Sequence, residues 1–305
     1  MISKRNFPVA ARVVIFDTTL RDGGLTPDRG MAQPGKLRVG RALAELGVDV
    51  IEAGFPAASL GDRETVSSVA REVQGPVICG LARCKREDIE VAAQTLQDAP
   101  RRRIHLFLGT GTTATHSRYK LKMPQDKLLL TAVEGVRIAR DLCDDIEFSL
   151  EDASRTEADF LAQLVEATIE AGADTVNIPD TLGHTLPNEF DELLRYLRKN
   201  VRGIERIRLS VRCHNRLGMA VANSLTAVMA GARQVECAIN GIGGRTGNCS
   251  LEKVVMALKT REAFFNVSIG INMTRLNPIS RLVSRITGVP IPTEQGGCPQ
   301  ERFLP

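Results

Sequence analysis

Ile207-Arg208-Leu209-Ser210-Val211-Arg212-Cys213-His214-Asn215-Arg216 reads as a β-strand running into a polar loop. Residues two apart in a strand face the same way, so Arg212 and His214 are expected to project together from its carboxyl end. A His-x-His pair there would be a ready-made metal chelate. An arginine in the first position carries a permanent charge and has no lone pair to give a metal.

Outward from this stretch, similar runs recur on both sides. Residues 12–17, 48–53, 76–80, 104–108, 146–150, 175–178, 207–213 and 235–239 make eight, with the composition of buried parallel strands. Between them, residues 36–46, 128–143, 159–171 and 217–230 carry helical spacing. Gly47, Gly172 and Gly231 each stand between a helix and the next strand, the usual place of a C-cap glycine. Eight alternations in one domain-sized chain predict an α/β fold, the (β/α)8 TIM barrel. An open doubly wound sheet is the competitor. The eightfold count and the lack of a Gly-x-Gly-x-x-Gly turn after the first strand weigh against it. The barrel is assigned to residues 12–262. Residues 263–305 form a short helical extension and tail, with a last helix over 277–285, capped by Asn277 and opened by Pro278.

The 305 residues are 43% hydrophobic and 25% charged, which is ordinary for a globular protein with a large core. The net charge of +4 is modest, and with aromatics at 4% and no Trp, stacking platforms for single-stranded nucleic acid are not expected. Arg101-Arg102-Arg103 reads as a short solvated run. The seven cysteines form no Cys-x-x-Cys pair, which points to a reducing compartment rather than to disulfides or structural zinc. No signal-like or membrane-spanning segment is apparent. The expectation is a cytoplasmic protein with neither nucleic-acid nor membrane partners.

In a barrel, function collects on the loops that follow the strands. The polar residues expected there are Arg21, Asp22, Glu52, His105, Glu147, Glu151, Asp152, Asp180, Thr181, Arg212, His214, Asn240 and Asn248. The loop over 109–119 resembles a polar lid, without the Gly-Lys-Ser/Thr ending of a phosphate cradle. His116 and His184 read as loop surface.

Asp17-Thr18-Thr19-Leu20-Arg21-Asp22-Gly23 resembles a motif of the 2-isopropylmalate synthase and homocitrate synthase group, in the wider superfamily with 3-hydroxy-3-methylglutaryl-CoA lyase. Val50-Ile51-Glu52-Ala53-Gly54-Phe55-Pro56, Glu147-Phe148-Ser149, Glu151-Asp152-Ala153-Ser154-Arg155-Thr156-Glu157, Asn177-Ile178-Pro179-Asp180-Thr181 and Asn240-Gly241-Ile242-Gly243 match in order. The resemblance covers roughly 13–288. It implies a TIM barrel that joins an acyl-CoA to a 2-oxo acid, or cleaves the reverse bond, with a divalent metal polarising the carbonyl. It implies Asp22, both positions of the His-x-His pair and Asn248 as metal ligands, and places Arg21 beside the carbonyl. Thr181 would hold the substrate carboxylate, and His105 would line the pocket.

The departures fall at the chemistry. Gly23-Gly24-Leu25-Thr26 stands where the family has Gly-Glu-Gln-Ser, and Gly243-Gly244-Arg245-Thr246-Gly247-Asn248 where it has Gly-Glu-Arg-Ala-Gly-Asn. Arg212 replaces the first histidine, and Arg216 an aspartate. Two like unit charges ~4 Å apart cost ~4 kcal/mol at an effective dielectric of ~20. Binding of a metal by Asp22, His214 and Asn248 is therefore expected to be weak or lost, with no tightly bound cofactor and acyl-CoA as a candidate co-substrate. Arg21, Glu147 and Arg212 are the catalytic candidates; His105, Thr181, Arg212 and Arg216 are the candidates for binding a small carboxylate. Arg212 could instead form a structural ion pair with Asp22, and Glu147 and Glu151 could simply partner Arg21 and Arg155. Two classes stay open: a diverged carbon–carbon bond enzyme of specialised metabolism, or an inactive homologue that binds a ligand or a partner subunit. A homodimer is expected through the apolar face Leu276, Ile279, Leu282, Val283 and Ile286, unless that face packs on the barrel.

Overall fold

The computed structural model describes residues 11–25, 31–111 and 123–292. Threonine 26, His116, Cys298, most of the lid-like loop and the far tail, all named above, lie outside the described residues. Ten strands and ten helices occur among the described ones. The strands are β1 Ala11–Arg12, β2 Val14–Asp17, β3 Val50–Gly54, β4 Val77–Arg83, β5 Arg102–Gly109, β6 Ile146–Glu151, β7 Thr175–Asp180, β8 Arg208–Cys213, β9 Gln234–Cys237 and β10 Val267–Ser268. The helices are α1 Gln33–Leu46, α2 Leu60–Glu72, α3 Arg86–Thr95, α4 Gln125–Arg140, α5 Ala158–Ala171, α6 Pro187–Asn200, α7 Ala220–Ala230, α8 Leu251–Thr260, α9 Glu262–Phe265 and α10 Leu276–Thr287. Strands β2 to β9 close into one parallel barrel in sequence order, with β2 pairing β9, so the eight expected strands are all present.

The helices form where apolar residues recur on one face. In α5, Phe160, Leu161, Leu164, Val165 and Thr168 are buried, and Gly172 ends the helix at φ 113°. Gly47 and Gly231 cap α1 and α7 in the same left-handed conformation, as the sequence predicts. Beneath the helices lie the outward residues of the strands, among them Ile15, Ile51, Ile78, Ile104, Phe148, Val176, Val211 and Val235, none of them accessible to solvent. Each such side chain contributes ~1.5–3 kcal/mol by leaving water.

The barrel interior departs from the apolar reading. A small apolar plug of Val14, Phe16, Val50, Val77 and Cys79 fills one side of it. The inward positions of β5 to β9 are polar instead. Arg103 on β5 reaches across the barrel to Glu147 on β6 at 2.8 Å and to Gln234 on β9 at 2.9 Å. Gln234 in turn donates to Glu147 at 2.7 Å and to Ser210 at 2.9 Å. Arg103 is 2% exposed, so the third arginine of the basic triplet is an interior residue rather than a solvated one.

The last helix begins one residue earlier than expected. A 3-10 turn, Met273–Arg275, leads into it; the Asn272 side chain caps that turn, so Asn277 and Pro278 lie inside α10. Leu276, Ile279 and Val283 are buried against the rest of the chain, and Leu282 and Ile286 pack on the same core. Much of the apolar face proposed for a dimer is thus packed on the barrel itself, with Leu282 and Ile286 only partly buried. The two-residue pairing of β1 with β10 fastens the extension to the start of the barrel.

Candidate active site at the barrel mouth

The turn after β2 positions the first two site residues. Asp17 accepts from the Thr19 N–H at 2.9 Å and the Thr19 hydroxyl at 2.8 Å, and Thr19 Oγ1 accepts from the Ile239 N–H at 2.9 Å. Burial pushes the Asp17 carboxyl up to about 7. This knot holds the chain so that the Asp22 N–H reaches Thr18 O at 2.9 Å and both Arg21 and Asp22 face the mouth. Arg21 Nε donates to Glu52 at 2.7 Å and Nη1 to Asp22 at 3.2 Å, while Nη2 is buried without a hydrogen-bond partner among the described residues.

Arg212 and His214 emerge together from β8, as their spacing requires. Arg212 Nη2 donates to Asp22 Oδ2 at 2.6 Å, and Arg212 Nε to Asn248 Oδ1 at 3.3 Å. Asn248 Nδ2 donates to the same Asp22 oxygen at 2.6 Å. His214 Nε2 lies 3.9 Å from it, and His214 Nδ1 is buried with no hydrogen-bond partner among the described residues. Gly243 permits this crowding: a Cβ there would come within 2.2 Å of Asn248 Nδ2 and 2.9 Å of Asp22 Oδ2. Burial alone would raise the Asp22 carboxyl, but the guanidiniums of Arg212 and Arg21 outweigh it and hold the group well below the usual range. Burial, then the Arg212 charge, pushes the His214 imidazole down to about 3, so it is neutral.

Beneath these residues lies a layer of titratable groups. His105 Nδ1 sits 2.8 Å from Glu52 Oε1 and Nε2 lies 2.7 Å from Ser149 Oγ, so both ring nitrogens are engaged. Glu236 on β9 is different. Both of its oxygens are buried with no hydrogen bond among the described residues, and Arg212 Nε lies 3.8 Å from Oε2. Burial pushes its carboxyl up to about 8.

Several expected positions are corrected. Glu147 is not at the mouth: it is the second residue of β6, at the closed end, and its carboxylate belongs to Arg103 and Gln234 rather than to Arg21. Glu151, at the mouth end of the same strand, pairs with Arg245 at 3.5 Å, while Arg155 pairs with Asp152. Asn240 turns away, donating to Ser280 O at 3.0 Å and so tying α10 to the loop after β9. Asp180 organises its own loop, accepting from the N–H groups of Gly183 at 3.1 Å, His184 at 3.3 Å and Thr185 at 3.1 Å. Thr181 is at the mouth, its Oγ1 accepting from the Asp152 N–H at 2.8 Å and its carbonyl from Arg245 at 2.6 Å. Arg216 is exposed on the loop beyond. Arg103, Gln234, Glu236 and Arg245 were missed as a set. The inward two-residue spacing of Gln234 with Glu236 and Arg103 with His105 was the available signal.

Asp22, His214 and Asn248 are the donors a divalent ion would need, and they do converge. They do not fit one, however. The Asp22 oxygen they share already receives two N–H groups, Asn248 Oδ1 faces a guanidinium, and the centre of the set is held by a fixed cation. Two other groups, Glu52 with Cys79 and His105, and His105 with Glu147 and Glu236, bring donor atoms within 4.8 Å of one another. The bonds described above already occupy His105 and Glu147.

A closed, parallel eight-stranded barrel whose mouth gathers arginine, aspartate, asparagine and histidine side chains defines the class of α/β barrels with a polar, charged mouth. The chain belongs to the HMGL-like family, whose model matches residues 12–283. It is 54% identical over 282 residues to a 2-isopropylmalate synthase of Rhodopirellula baltica, covering 92% of this chain and 53% of that one. It is 50% identical over 284 residues to one of Pyrococcus furiosus, covering 93% and 56%. It therefore spans about half the length of these relatives. Among solved structures, the hydroxymethylglutaryl-CoA lyase of Pseudomonas aeruginosa superposes with a TM-score of 0.78 at 18% identity, over 93% of this chain and 95% of that one. The carboxyl transferase domain of Rhizobium etli pyruvate carboxylase superposes with a TM-score of 0.67 at 18% identity, over 90% and 47%. These likenesses show the shared barrel. No described helix is long and apolar enough to cross a membrane.

Proposed function

We propose that the mouth binds a 2-oxo acid or a related small carboxylate, and that the chain makes or breaks a carbon–carbon bond beside it with an acyl-CoA as co-substrate. The observation that carries this reading is Arg21 Nη2, a buried guanidinium N–H with no hydrogen-bond partner among the described residues. A buried donor left unpaired is costly, and a ligand oxygen at that point would satisfy it. Beside it, Arg212 has no hydrogen bond from Nη1 among the described residues. Fixed N–H donors aimed at one oxygen stabilise the negative charge that grows on a carbonyl under attack. In this reading Glu151, the partly exposed carboxylate at the rim and 3.5 Å from Arg245, would take the proton from a carbon acid that enters over it. The relatives' name, 2-isopropylmalate synthase, supports a 2-oxo acid as the substrate class.

The test is thiol release from acetyl-CoA across a panel of 2-oxo acids, with Arg21→Met as the control. Turnover with one panel member is expected, falling ~10²–10³-fold in the variant, as when one oxyanion donor is lost. If no acid gives thiol release and none protects the chain against thermal unfolding, the reading fails.

A further inference from the structure

We infer that the Arg212 guanidinium is this site's resident cation: it occupies the place that Asp22, His214 and Asn248 enclose, and the chain takes up no divalent metal there. The inference deepens the reading of the mouth as a carboxylate site, but stands on separate observations.

The first is the direction of the lone pairs. Asp22 Oδ2 and Asn248 Oδ1 both point at the guanidinium, at 2.6 and 3.3 Å. The planar fork of an arginine satisfies two oxygen acceptors at once and cannot lose its charge. A dication entering the same space would meet that charge and would have to displace those bonds.

The second observation is Glu236. A fully buried carboxyl whose two oxygens lack any hydrogen bond among the described residues is an anomaly in a folded protein. It lies beside the middle of the Arg212 side chain, 3.8 Å from Nε, too far for a hydrogen bond. A metal-bound histidine gives its second ring N–H to a carboxylate, which fixes its tautomer and orientation. A histidine at position 212 would be shorter than arginine and would stand between Glu236 and the Asp22–His214–Asn248 set. Glu236 is thus placed as the outer partner of a ligand this chain does not have. With arginine at 212, that carboxyl is left without a donor.

The experiment is calorimetric titration of the full chain with Mn²⁺, checked by the Mn²⁺ electron paramagnetic resonance signal. It uses the parent, Arg212→His, Arg212→Gln and the double variant Arg212→His with Glu236→Gln. No binding is expected for the parent up to millimolar Mn²⁺. Arg212→His should bind at least a hundredfold more tightly than the parent. Adding Glu236→Gln should weaken that binding ~10–100-fold, the effect typical of losing an outer-shell partner. If Arg212→His does not fold, Arg212→Gln must show millimolar binding that the parent lacks. Micromolar binding by the parent overturns the inference, as does a folded pair of single variants that both ignore Mn²⁺. Thiol release in the parent that a chelator abolishes also overturns it while upholding the proposed function. A metal-free parent without thiol release leaves it standing and removes the functional reading.

Discussion

Replacing Glu236 by glutamine should change how the stability of the barrel depends on pH. The carboxyl is fully buried and without hydrogen bonds, and its titration is pushed from 4.5 up to about 8 by burial. Below pH ~4.5 it carries its proton in both folded and unfolded chains. As pH rises past that point, the unfolded chain releases the proton and the folded chain keeps it. Stability is then lost at ~1.4 kcal/mol per pH unit, until the folded form also ionises near about 8. From pH 5.5 to 7.5 the loss due to this one group is ~3 kcal/mol. Glutamine has nearly the same shape and no proton to lose. Glu236→Gln should therefore change stability little at pH 5 and stabilise the fold progressively above it. Asp17, pushed up to about 7, has the same sign of dependence, but it is common to both proteins and cancels in the difference. Urea unfolding at pH 5.5, 6.5, 7.5 and 8.5 gives the difference directly. Parallel curves would refute the reasoning. They would mean that the Arg212 charge, 3.8 Å away, keeps Glu236 ionised in the folded state after all.

Two further outcomes follow from the interior and the loops. Arg103→Met leaves Glu147 buried with its charge uncompensated and should cost ~3–5 kcal/mol, while Arg103→Met with Glu147→Gln should recover part of it; urea midpoints for both variants check this. Asp180→Ala strips the acceptor from three backbone N–H groups and should cost ~2–3 kcal/mol. A lower melting temperature with faster amide exchange at Gly183, His184 and Thr185 is expected, and unchanged exchange there would count against it.

The fold was legible because its signals are local and repeat. The helix–glycine–strand phrases at Gly47, Gly172 and Gly231 each state their own geometry, and eight strand-like runs alternating with helices point to a closed barrel. The register of the site was legible for the same reason: alternation along β8 places Arg212 beside His214, and the structure puts both beside Asp22. What alternation alone does not give is depth. Glu147 and Glu151 lie on one strand, yet one ends at the closed end with Arg103 and the other at the rim with Arg245. Which is which depends on the stagger of the barrel strands, a property of the whole sheet. The fate of the last apolar face was unreadable for a similar reason. Burial of Leu276, Ile279 and Val283 depends on where α10 comes to rest, and the Asn240–Ser280 contact that holds it there joins residues forty apart.

The two anomalies of the site, a guanidinium among metal donors and a buried carboxyl without partners, have one cause. Along β8 and β9, Arg212 is paired with Glu236 in register, so any change at 212 is felt at 236. Arginine spans the interior and delivers its charge to Asp22 at the mouth, 2.6 Å away. In doing so it carries its donors past Glu236. A salt bridge to Glu236 would need the guanidinium lower in the barrel, and Asp22 would then keep the Asn248 amide but have Arg21 as its one guanidinium partner. The charge can satisfy one carboxylate well. It goes to the one that also bonds Asn248 and Arg21, because there it completes a network in which every oxygen has a donor. Glu236 is left to hold a proton. The same choice keeps Arg212 at the mouth, where the proposed carboxylate substrate would meet it.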